Sequence, residues 1–408
     1  MIYRNVTRRT WLLLASRAAL AQQDSAPGRE ERIKNLIRAF EDQGFHRTGT
    51  EVDRLSGLWL MAQVRNSGLT PAREAFALSR VDPTAANITI GEHRMEGLPL
   101  FDGGFTDAAG VRGRLGALGS DAPVGVGEIA PNSSGSGALG EARRQNRHRA
   151  IVVTTRGGTP GLCPSNADDF LLPFGPPVLQ VSGEFAAQLK DGAERGSEAL
   201  LIAGAKRTQS EAFNVTALIE GSNRTMPPLI VMTPRSGWWT CASERGGGIA
   251  CWLELMRALR GTGPARDVVF VASSGHEVGY LGIEAFIARR AGIVKQARAW
   301  IHFGANVGAA QDPGNTLQAS DNEMEALEAD AMTKASLRID RRVPRGSVPG
   351  GEAGVVHRAG GRYLSIIGRN ALFHNPADHG PEAVDPRAIS RFAFAFEQIA
   401  RALASSAA

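Results

Sequence analysis

The run Val268-Val-Phe-Val271 is apolar without alternation, the pattern of a strand buried on both faces. Ser273, Ser274 and Gly275 end it, and His276 and Glu277 follow where the chain leaves the sheet. Similar runs at Leu229–Met232, Ala299–Phe303 and Tyr363–Ile367 predict three more buried strands. Between and around them the apolar period changes to that of helices. Gly246–Leu259 and Gly282–Arg290 are expected as helices, with a terminal one over Asp385–Leu403. Strand and helix in alternation predict an α/β sandwich with a mainly parallel sheet. In such sheets ligands bind beyond the carboxyl ends of the strands, where His276 and Glu277 lie.

The amino-terminal part reads differently. Ile33, Leu36, Ile37 and Phe40, then Leu55, Leu58, Met61 and Val64, predict two amphipathic helices. From about residue 85 the texture becomes short β-rich runs broken by glycine and proline, such as Ala150–Thr154, Pro177–Val181 and Ala199–Ala203. This predicts a small β-rich domain over 85–205, inserted in an α/β domain made of 30–84 and 206–405. Glu323–Asp330 reads as helix and Arg341–Gly354 as loop. Upstream, Arg8-Arg9 precede the short apolar run Trp11–Ala15, and Ala19-Leu-Ala21 offers a cleavage site. Residues 1–21 thus resemble a twin-arginine signal peptide and imply export, with a periplasmic destination. The run is too short to span a bilayer, so stable membrane insertion is not expected.

At 408 residues, 43% hydrophobic and 21% charged, the chain can bury a large core. The formal charge of +5 is mild over this length. Arg143, Arg144, Arg147 and Arg149 form one basic run, but no aromatic platform accompanies them, so a solvated surface is expected rather than nucleic-acid binding. Cys163, Cys241 and Cys251 lack metal-type spacing; in an oxidising compartment two of them can pair. His46, His93, His148 and His357 have no ligand-like neighbours and are expected at the surface, with His379 at a pocket edge. Gly246-Gly-Gly248 is explained by close packing at a helix start, since no phosphate-loop pattern accompanies it.

Ser274–Gly282, Phe373–Asp378 and the run Ala242–Ala250 together resemble the co-catalytic zinc aminopeptidase and carboxypeptidase-like family, the clan of the glutaminyl cyclases. The resemblance spans most of 30–405, and 85–205 is similar to the family's protease-associated insert. It implies a three-layer zinc-aminopeptidase-like sandwich, amide or peptide substrates and, in the full site, two zinc ions with a glutamate base.

Several matching positions depart from that pattern. Arg235 stands at the first histidine ligand and Gly237 at its companion aspartate. Glu244 replaces the bridging aspartate, His276 replaces the base and Gly304 a further aspartate. Glu277 and His374 are kept. The resemblance therefore implies a reduced site of Glu244, Glu277 and His374 holding one zinc ion, with His276 as base. Alternatively Arg235 pairs with Glu244 or Glu277, and the cleft is metal-free and binds without catalysing. Trp238, Trp239, His302 and Asn306 complete the candidate pocket, whose ligand would be a peptide or a small amide.

Overall fold

The computed structural model describes residues 26–405 except Ser133; the expected signal segment lies outside the described residues. Thirteen strands follow in chain order: β1 (Ala72–Ile90), β2 (His93–Pro99), β3 (Val111–Ala117), β4 (Val124–Ile129), β5 (Ala150–Thr155), β6 (Val178–Ser182), β7 (Glu198–Ile219), β8 (Leu229–Pro234), β9 (Val268–Ser273), β10 (Ala299–Phe303), β11 (Gly314–Ala319), β12 (Arg341–Arg342) and β13 (Tyr363–Arg369). They join in the order β1-β2-β6-β5-β4-β3-β7-β9-β8-β10-β13-β11-β12. The four strands β9, β8, β10 and β13 are mutually parallel, as their unbroken apolar runs require. Antiparallel β7 and β11 flank them.

Helices cover both faces of this parallel block, giving the three layers the pattern predicts. On one side Ile37, Leu253, Met324 and Phe396 belong to one core with Val231 and Phe270. On the other, Ile283, Phe286 and Val356 pack with Ile230, Met232 and Trp300. The chain runs from β8 to β9 on one side and returns to β10 on the other, so the crevice opens at the carboxyl ends of these strands.

The amino-terminal strands close on themselves. β1 pairs with β2 and also, over most of its length, with β7. The path β1-β2-β6-β5-β4-β3-β7 is therefore a ring, filled by Ile88, Met95, Val124, Val152 and Leu201. β1 and β7 run straight through residues 85 and 205, leaving the ring to reach the main sheet. Their length is not expected from the short runs of the sequence. The charged positions Arg73, Glu74, Arg80 and Asp82, with Pro83 at a register shift, hide the strand pattern.

Other differences are local. Arg143 is not a solvated basic residue: it is buried in the helix Gly137–Gln145, with Nη2 2.9 Å from Asp102. His46 and His148 are buried; His46 stacks on Phe40 at 3.8 Å. His93 and His379 are exposed. The expected loop Arg341–Gly354 contains β12, and its last two residues open the helix Ala353–Arg358. The three cysteines are free and buried. Among the described residues no helix is long and apolar enough to cross a membrane.

The three glycines do pack closely. A Cβ on Gly247 would lie 1.9 Å from the Val307 carbonyl oxygen, and one on Gly248 2.7 Å from Thr233 Oγ1. Because the obstacle at Gly247 is backbone, Gly247→Ala should lower unfolding free energy by about 1–3 kcal/mol or more, read from urea denaturation. An unchanged midpoint would show that the helix can shift freely there.

Candidate functional site

Four strands deliver the candidate residues at their carboxyl ends: Arg235 after β8, His276 and Glu277 after β9, Asn306 after β10 and His374 after β13. Glu244 comes from a π-helical turn, Ala242–Gly246, that opens the helix Gly247–Leu259. Asp378 holds that turn, accepting from Ser243 N–H, Ser243 Oγ–H and Glu244 N–H at 2.9, 2.6 and 2.9 Å. Burial, offset by these donors, pushes the Asp378 carboxyl up to about 6. Cys241, Asn306 and His374 carry φ of 55°, 62° and 56°, so three bends of the site are held in the left-handed region without glycine.

Arg235 is buried, but it pairs with neither Glu244 nor Glu277. Its guanidinium lies 2.8 Å from Asp53 Oδ1 and donates to the Phe213 carbonyl at 2.6 Å. Asp53 projects from the helix Glu51–Asn66 and also accepts from Ser274 Oγ at 3.0 Å. This acid, absent from the expected set, draws Arg235 away from the other candidate acids.

The cation beside Glu244 is instead Arg245. Its Nη2 lies 2.7 Å from Glu244 Oε1, and its Nε donates to the Ser236 carbonyl at 2.6 Å. His374 Nε2 lies 3.3 Å from the same carboxylate oxygen. Glu244, Arg245 and His374 are at most 1% exposed. Burial raises the Glu244 pKa, but the Arg245 charge and the neighbouring His374 outweigh it and bring it to about 2. His374 Nδ1 faces the Pro164 carbonyl at 2.6 Å; since a carbonyl only accepts, the proton sits on Nδ1.

Glu277 is committed elsewhere. Thr48 N–H donates to its Oε1 at 2.6 Å and Ser236 Oγ–H to its Oε2 at 2.7 Å. Burial raises its pKa, with these donors opposing. Among the described residues no group of three His, Cys, Asp or Glu side chains is placed to hold a metal ion, so Glu244, Glu277 and His374 do not assemble as one ligand set. The space of the missing acids is also filled. A Cβ on Gly237 would meet Cys241 Sγ at 2.7 Å, and one on Gly304 would meet Ile367 Cγ1 at 2.6 Å and His302 Cε1 at 3.0 Å.

His276 has a second unexpected neighbour, Glu352, whose Oε1 is 3.6 Å from Nδ1 and accepts from Ser273 Oγ at 2.6 Å. Burial, then the charge of Arg245, holds the His276 pKa well below the usual imidazole range. A histidine that binds its proton so weakly is a poor general base at neutral pH. His302 bonds Ser365 Oγ through Nδ1 at 2.8 Å, and burial brings its pKa to about 4. Asn306 donates to the Gly368 carbonyl at 3.3 Å. Trp238 is buried and donates to Asn166 Oδ1; Trp239, half-buried, donates to the His374 carbonyl. Cys241 Sγ is 3.6 Å from Glu244 Oε2, and burial and that acid raise its pKa well above the thiol range, which leaves it unactivated as a nucleophile.

The Glu244 pairing has a signed pH dependence. Its pKa falls from 4.5 to about 2 on folding, so its contribution is complete above pH 4.5 and is lost as pH falls toward 2. Glu244→Gln should flatten that part of the stability–pH curve in denaturant titrations. Arg245→Met should cost about 3–5 kcal/mol by stranding a buried carboxylate, and adding Glu244→Gln should restore most of it. Purely additive losses would deny the pairing.

No family model matches the chain, and no curated protein matches it. Solved structures do. A zinc aminopeptidase from Bacillus subtilis superposes with a TM-score of 0.72 at 15% identity, over 93% of this chain and 95% of that one. An aminopeptidase from an Aneurinibacillus species gives 0.68 at 15%, over 93% and 94%. A peptidase precursor from Shewanella amazonensis gives 0.70 at 14%, over 94% and 98%. At such identities the likeness speaks for architecture alone: the chain has the fold of the zinc aminopeptidases.

Proposed function

We propose that this chain is a peptidase-like binding protein in which an internal ion pair stands in place of the metal centre. The observation that carries this reading is the buried contact of Arg245 with Glu244, on the oxygen that also faces His374. A guanidinium cannot give up its proton to bind metal, and it brings positive charge to the spot a zinc ion would need. Glu277 is spent on Thr48 and Ser236, and Gly237 and Gly304 supply no donor. The residues present do not fit one zinc ion or two. The hydrolase reading, with Glu244, Glu277 and His374 on a single ion and His276 as base, would need Glu277 to turn and Arg245 to leave.

The ligand class follows from the fold's relatives and is a peptide or a small amide. We read 85–205 as a protease-associated-like insert beside the cleft, and 1–21 as the export signal of a periplasmic protein. Elemental analysis after incubation with zinc and gel filtration should find well under one ion per chain, and aminoacyl and peptide substrates should not turn over with or without chelator. One tightly held ion per chain, lost together with turnover on chelation, would overturn the proposal.

A further inference from the structure

The helix Ala26–Glu41 and the connection into the terminal helix Pro386–Ser405 leave a cavity of about 600 Å³ between them. Small-molecule sites have this size, and they are mostly apolar with a few placed charges. Lys34, Ile37, Arg38 and Glu41 line one side, and their spacing of three and four puts them on one helical face. Pro381, Val384 and Pro386 line the other. None of these three carries a polar side-chain group, and the prolines lack an N–H, so this wall is mainly hydrocarbon.

The wall is held in place by the main sheet. Asp385 N–H donates to the Gly308 carbonyl at 2.8 Å, and Ala310 N–H to the Ala383 carbonyl at 3.0 Å. Both bonds tie it to the loop after β10. At one end Gly380 N–H donates to Glu41 Oε2 at 2.7 Å and joins wall to helix. The slot also adjoins the π turn. A Cβ on Gly246 would lie 3.1 Å from Cγ2 of Ile37, and Gly380 follows Asp378 by two residues.

Charge is unequal along the slot. Lys34 and Arg38 are exposed and, four residues apart, are neighbours on the helix surface. Among the described residues Lys34 makes no ion pair, and Arg38 makes only a long, exposed one with Asp42 at 3.9 Å. The lining acid, Glu41, is engaged by Gly380, and burial raises its pKa. Two cations without close partners beside a hydrocarbon wall suit a ligand with one anionic head and an apolar body. From Lys34 to Glu41 the helix rises about 10 Å, the length of a medium aliphatic chain. A peptide suits it less, because its backbone donors and acceptors would face a wall with few partners for them.

We infer that this slot binds an aliphatic monocarboxylate, with the carboxylate between Lys34 and Arg38 and the chain against Ile37, Pro381, Val384 and Pro386. The slot is separate from the cleft, and nothing in it depends on how the cleft is used.

Decanoate, decanol and acetate separate head from chain. In calorimetric titrations of the full chain, decanoate should bind one per chain with a Kd below about 1 mM. Decanol should bind about tenfold more weakly, and acetate not measurably. Lys34→Glu combined with Arg38→Glu changes two exposed side chains, so the urea midpoint should stay nearly in place. The double substitution should weaken decanoate about tenfold or more and leave decanol unchanged. Decanoate that binds no better than decanol, or equally well to the doubly substituted chain, would overturn the inference. So would the absence of decanoate binding at about 1 mM. Neither zinc nor peptide is added, so this failure is distinct from a failure of the zinc measurement.

Discussion

The site depends on one carboxylate that does no chemistry. Asp378 accepts three hydrogen bonds from Ser243 and Glu244, and so fixes the π turn at the mouth of the helix Gly247–Leu259. A π turn adds a residue to the helical repeat. Here two adjacent side chains, Glu244 and Arg245, are both buried. Their contact is neighbour to neighbour, and the turn sets it. The same short stretch that supplies Asp378 supplies His374, so acid, imidazole and guanidinium are positioned together. The glycines that follow then allow the helix to press against the Val307 carbonyl and bury the group.

Much of the fold is legible in the sequence because its central strands are covered on both faces and read as unbroken apolar runs. Leu229–Met232, Val268–Val271 and Tyr363–Ile367 all lie within strands of the parallel block. The full length of β1 and β7 escapes notice because their middle stretch is a two-stranded ribbon with exposed faces, where arginines and glutamates interrupt the apolar pattern.

In the site, the proximity of Glu244 and His374 could be anticipated from motif positions at strand ends. The role of Arg245 could not. Its inward direction is set by the fold around the π turn, where it meets Glu244 and the Ser236 carbonyl. Asp53 and Glu352 were invisible for another reason. Each is a single acid on an element whose own pattern says nothing of what it faces, and only tertiary packing sets Asp53 against Arg235 and Glu352 against His276. The buried acids and cations around the crevice thus pair with one another in a scheme no linear spacing encodes.

β7 belongs to two structures at once, closing the ring of strands at one end and edging the parallel sheet at the other. Its pairing of Ala72 with Thr216 brings together residues far apart in the chain. Such non-local closure is slow to form, because a long loop must be ordered before any contact rewards it. During synthesis the helices before β1 must wait for β7 to emerge before their sheet exists. The ring waits on the same strand, since the pairing of β1 with β7 is what closes it. The connectivity thus makes β7 a shared seam: the last strand of the ring is also the edge on which the larger sheet is laid down.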